Sequence, residues 1–83
     1  MGLTVRYFAG LRDRAGCPGT WIPALPSPPT IDALVQHLSS DVRIGDALSH
    51  PSVRTIVNGE ISNRSAKLRD GDEVAFCPPF SGG

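Results

Sequence analysis

A chain of 83 residues with eight basic and eight acidic side chains and a 40% apolar fraction has the composition of one small globular domain and no room for a second. Its balanced, scattered charge lacks the basic face that nucleic acid or an anionic membrane selects, so neither partner is expected. No apolar run approaches the roughly eighteen residues of a membrane span.

The opening MGLTVRYF lacks the apolar stretch of a signal peptide, and a cytoplasmic address is expected. Arg6 stands where a myristoylation motif needs Ser or Thr. Asn63-Arg64-Ser65 fits a glycosylation sequon, inert without secretion. Cys17 and Cys77 are far apart, with no CxxC and no zinc spacing, and His37 and His50 add no ligand pattern. No metal is expected, and both cysteines read as free thiols of a reducing compartment.

In chain order, Leu3-Thr4-Val5-Arg6-Tyr7-Phe8 alternates apolar and polar, which predicts a strand with one buried face. AGLRDRAG, residues 9–16, turns the chain. Thr20-Trp21-Ile22 is a short second strand, limited by Pro23 and Pro26 and expected to form a hairpin with the first. In PSPPTIDALVQHLSS, Ile31, Leu34, Val35 and Leu38 recur at i, i+3, i+4 and i+7, the signature of an amphipathic helix. Thr30 is its expected N-cap, and Asp32 places negative charge where the helix dipole favours it. His37 falls off the apolar stripe and reads as solvated. Ile44, Ala47 and Leu48 suggest a short helical turn before Pro51. A strand over residues 53–57 leads into Asn58-Gly59, the residue pair suited to a type I′ turn, and Glu60-Ile61 begins the return strand. After Ala66, Lys67 and Leu68, the turn Arg69-Asp70-Gly71-Asp72 introduces a last strand over residues 73–77, closed by Pro78 and Pro79.

This order predicts an α+β fold: one mixed sheet of four to five strands packed on one main helix. Residues 1–77 form the domain and 78–83 an extended, flexible Gly-Gly tail. The order resembles the β-grasp fold of ubiquitin-like proteins, in which the first and last strands run parallel in mid-sheet. Val74 and Phe76 would then face the helix, Ala75 and Cys77 the other side. Since one side of the sheet must cover the helix, the side near Ala75 and the emerging Phe80 is the expected docking surface.

The closing CPPFSGG carries the chemistry. Pro78 and Pro79 fix φ and direct the chain outward as an arm, and the six residues to Gly83 reach roughly 20 Å. Ser81, Gly82 and Gly83 are small enough to thread a narrow channel. A carboxylate is a poor electrophile, so the carboxyl of Gly83 becomes reactive only when a leaving group such as AMP is attached. No phosphate-binding loop occurs here, which assigns ATP to a partner. The bland alternative for the tail is a frayed, solvated end.

The runs VRYFAGLRDRAG, VNGE and LRDGDEVAFCPPFSGG together resemble the MoaD/ThiS family of sulfur carriers, and within it the small subunits of molybdopterin synthase. The resemblance implies that a ubiquitin-activating-like adenylyltransferase adenylates Gly83 and that a sulfur donor protein supplies the sulfur for a thiocarboxylate. The tail then enters the large subunit of molybdopterin synthase, where the sulfur passes to a cyclic pyranopterin precursor. The chain itself would be a sulfur-donating subunit, with no cofactor bound and no independent activity. Phe80, Pro79 and Pro78 would pack in the partner's groove; Phe80 could instead fold back on its own sheet. Cys77 stands where a second aromatic residue is common in the family, and reads either as a small apolar strand residue or as a thiol beside the tail. Cys17, in a loop, is expected to be exposed and is given no role. A carrier for thiamine or cysteine synthesis, a ubiquitin-like protein modifier and an interaction module with an inert tail remain open. The paired prolines and AGLRDRAG favour the molybdenum route.

Overall fold

The computed structural model describes residues 2–50 and 53–78. Its elements run β1 (Leu3–Tyr7), α1 (Ala9–Ala15), β2 (Gly19–Ile22), α2 (Ile31–Leu38), α3 (Gly45–Ser49), β3 (Arg54–Val57), β4 (Glu60–Ser62) and β5 (Glu73–Cys77). The five strands form one sheet in the order β2-β1-β5-β3-β4. β1 and β5 pair in parallel, Val5 opposite Val74 and Tyr7 opposite Phe76, while the β1–β2, β3–β4 and β3–β5 pairs are antiparallel.

Alternation along the strands divides the sheet into two faces. Leu3, Val5 and Tyr7 of β1 and Val74 and Phe76 of β5 are buried in the core. α2 lays Ile31, Leu34, Val35 and Leu38 into the same core, as its periodicity requires. Each such side chain, fully withdrawn from water, contributes about 1.5–3 kcal/mol. The helix begins where the sequence marks it: Thr30 Oγ1 accepts a hydrogen bond from the Ala33 N–H at 3.2 Å. Its first turn is tied to the segment before β5, with the Ile31 N–H donating to the Ala66 carbonyl at 3.1 Å and the Asp32 N–H to the Arg64 carbonyl at 2.8 Å.

The turn between β3 and β4 has Asn58 at φ 51° and Gly59 at φ 87°, the left-handed pair the sequence predicts. Asn58 also ties this turn to β5. Its Nδ2 donates to Asp72 Oδ1 at 2.9 Å and its Oδ1 accepts from the Glu73 N–H at 2.9 Å.

Residues 9–16 depart from expectation. Instead of a simple turn, Ala9–Ala15 is a helix that buries Leu11 and Ala15, closed by Gly16 at φ 75° with its N–H on the Arg12 carbonyl. With one buried pair at i and i+4, a helix of seven residues cannot hold itself together in water, and packing against the core supplies what propensity does not. β2 therefore pairs with β1 across an intervening helix rather than through a tight hairpin.

Candidate functional site

Among the described residues, the side of the sheet away from α2 carries no helix. Cross-strand partners share a face, and the register places Thr4, Arg6, Ala75, Cys77, Arg54, Ile56, Ile61 and Trp21 on this one. Ile61 is 68% exposed, Trp21 54% and Phe8 42%. Phe8 follows β1 directly, and its N–H donates to the Phe76 carbonyl at 3.2 Å, fixing it at the end of the sheet where β5 runs out toward Pro78. The Arg6 guanidinium lies 5.9 Å from the Phe8 ring centroid and 3.6 Å from the Glu73 carboxylate. The face is thus apolar at its rim and ionic in its middle.

The expected site residues separate accordingly. Cys77 and Ala75 lie on the open face as expected, but Ala75 is only 7% exposed, in register between Arg6 and Ile56. A methyl group beneath longer neighbours offers a partner little area. The side chains that present area are Phe8, Ile61 and Trp21, none of which the sequence reading singles out. Their signal is apolar residues at the outward positions of alternating strands, a pattern that a solvated face does not need. Cys77 is half-buried, and burial pushes its thiol up. Cys17 is half-buried as well, not exposed. Pro78 is half-buried at the exit; Pro79, Phe80, Ser81, Gly82 and Gly83 lie outside the described residues. Among the described residues no group of three or more His, Cys, Asp or Glu side chains comes together to hold a metal, and no helix is long and apolar enough to cross a membrane.

A mixed sheet with its first and last strands parallel at the centre, one helix laid across it and the opposite face open, defines the ubiquitin-like β-grasp. SAMP1 from Haloferax volcanii shares it with a TM-score of 0.80 at 23% identity, covering 100% of both chains. The complex of subunits 1 and 2 of molybdopterin-converting factor from Helicobacter pylori 26695 contains a chain that matches with a TM-score of 0.70 at 21% identity, again over 100% of both. In sequence, the chain is 37% identical over 82 residues to the molybdopterin synthase sulfur carrier subunit of Escherichia coli (strain K12), covering 98% of this chain and 99% of that protein. Residues 5–83 match the ThiS family. The chain belongs to the ThiS family.

Proposed function

We propose that the chain is a sulfur carrier of molybdenum-cofactor synthesis. The carboxyl of Gly83 attacks ATP on a ubiquitin-activating-like adenylyltransferase, releasing pyrophosphate and leaving an acyl-adenylate. Sulfur delivered at the sulfide level by a donor protein displaces AMP, and the resulting thiocarboxylate gives its sulfur to a cyclic pyranopterin precursor in the large subunit of a molybdopterin synthase, with water restoring the Gly83 carboxylate. ATP is handled by the partner, and this chain binds no cofactor of its own. The observation that carries this reading is the 37% identity with the Escherichia coli sulfur carrier subunit over 82 residues.

The open face supports the same reading. The structural neighbour from Helicobacter pylori comes from a complex of two subunits, and here Phe8 supplies exposed apolar area at the end of the sheet where β5 leaves, while Ile61 and Trp21 add more on the two edge strands of the same face. Under a large subunit docked there, Cys77 acts as a small strand residue. Burial raises its thiol, the wrong direction for a nucleophile that works as the thiolate.

The likeness to SAMP1, whose counterpart in another matched structure is called a small archaeal modifier protein, favours one second reading, a protein modifier whose activated Gly83 is transferred to lysines. One experiment separates the two. Incubation with the activating enzyme, ATP and a sulfur donor is expected to raise the intact mass by the difference between one sulfur and one oxygen atom. Gly82→Val, which restricts the backbone where a narrow channel is expected, abolishes that gain while the melting temperature holds. Isopeptide-linked conjugates without any thiocarboxylate would establish the modifier instead.

A further inference from the structure

On the helical side of the sheet, between the loop joining α1 to β2 and the loop joining α2 to α3, lies a cavity of about 270 Å3 whose lining includes Tyr7, Cys17, Thr20, His37, Asp41 and Arg43. The sulfur-carrier reading makes no use of it. Its volume falls just below the roughly 300–1,000 Å3 of drug-sized sites, which suits a small molecule.

Three groups give the cavity its chemistry. Tyr7 is 4% exposed, and its hydroxyl bonds to no described residue. No fully buried side-chain oxygen or nitrogen among the described residues lacks a partner, so this hydroxyl is the tip that meets the cavity. There it lies within electrostatic range of Cys17, Asp41 and Arg43. A hydroxyl at that position bonds to water, which a ligand's acceptor atom can displace. Arg43 grips Asp41 through Nε at 3.1 Å and Nη2 at 2.8 Å, leaving Nη1 outside the pair. Nη1 lies 3.5 Å from where a Cβ on Gly16 would stand, beside the backbone that leads into Cys17. Cys17 itself is a half-buried free thiol on the same wall.

We propose that this cavity is a thiol-exchange site, in which Cys17 forms a mixed disulfide with a small thiol whose carboxylate is held by Arg43 Nη1 and the Tyr7 hydroxyl. The Cys17 sulfur, its proton given to solvent, attacks one sulfur of a small disulfide that carries carboxylates. A new S–S bond forms to Cys17 as the old one breaks, and the other half leaves as a thiolate and takes up a proton. The disulfide is the only oxidant required. Ile22, Leu38 and Ile44, also in the lining, cover the alkyl part of the bound half. Cys77 is the internal control, because burial raises its thiol and so depletes the reactive thiolate.

The test uses the full chain with oxidised glutathione as the probe, read by intact mass and peptide mapping. One glutathionyl group is expected on Cys17, lost in Cys17→Ser and retained in Cys77→Ser. Reaction with neutral bis(2-hydroxyethyl) disulfide then separates a built site from a merely accessible thiol. Arg43→Gln and Tyr7→Phe, both checked for unchanged melting, are each expected to slow the glutathione reaction by about threefold relative to the neutral one, the scale of one exposed charge contact. Labelling of Cys77 as fast as Cys17, or a rate ratio between the two disulfides that neither variant changes, overturns the proposal. The outcome is independent of sulfur transfer at Gly83.

Discussion

Tyr7 is the one tyrosine of the chain. Its ring stacks on Phe76 with centroids 6.4 Å apart, and burial, aided by the neighbouring Cys17 and Asp41, pushes its phenol up to about 12. Below about pH 10 the phenol is protonated in folded and unfolded chains alike, and the shift adds no pH dependence. Between about 10 and 12 the unfolded chain releases the proton while the native one retains it, so stability falls as pH rises through that window. Denaturant unfolding at stepped pH should show about 2 kcal/mol of alkaline destabilisation that Tyr7→Phe lacks. Phenolate absorbance of the folded protein reads this residue alone, and a midpoint near 10 would refute the shift. At the opposite face, Ile61 is 68% exposed and lies outside the buried core. Ile61→Thr keeps a β-branched strand residue, should change melting only slightly, and should weaken binding of a cognate large subunit by about 2 kcal/mol or more if Ile61 is an anchor. Titration calorimetry decides this, with Phe80→Ala as the companion variant for the tail. Sequence alternation finds the outward face but not which of its residues protrude. Ala75 and Ile61 are both outward, and the length of the side chain and its neighbours, not periodicity, makes one covered and the other bare.

Among the elements, α2 is legible because several local signals agree: a four-residue apolar stripe, a threonine cap and prolines that stop short of the first turn. Thr30→Ala removes the acceptor for the Ala33 N–H and should cost about 1 kcal/mol. For a domain of this size that lowers the melting temperature by about 4–8 °C, which calorimetry resolves; no change would mean that the contacts from residues 63–68 hold the helix start unaided. The β3–β4 turn is equally legible, since Asn58 and Gly59 each tolerate positive φ. α1 is not, because AGLRDRAG contains glycines at both ends of a turn-like string and buries only Leu11 and Ala15. Its helicity is imposed by packing against β1 and β5, information that no local window contains.

At the scale of the molecule, the order of strands and helix limits the topology to one mixed sheet on one main helix, and the resemblance to the β-grasp fold supplies the central parallel pairing of the first and last strands that the structure shows. What the sequence leaves open is the role of the residues after Pro78, which lie outside the described residues. The central pair also concentrates stability. Phe76 is fully buried and stands opposite Tyr7 in the parallel ladder. Phe76→Ala should cost about 3–5 kcal/mol, a large part of the 5–15 kcal/mol available to a small domain. Near-ultraviolet circular dichroism is expected to show loss of fixed packing in that variant at moderate temperature.

The same parallel ladder has a mechanical side. β5 leads into Pro78 and is hydrogen-bonded along both edges, to β1 on one side and β3 on the other. A partner that draws on the residues after Pro78 therefore pulls on an interior strand. Because β1 runs in the same direction, tension along β5 acts in shear against its whole ladder, and the hydrogen bonds share the load instead of opening one after another as at the end of a hairpin. The sheet anchors whatever follows Pro78, so that under the proposed sulfur-carrier function a pull from the partner leaves the domain behind it folded.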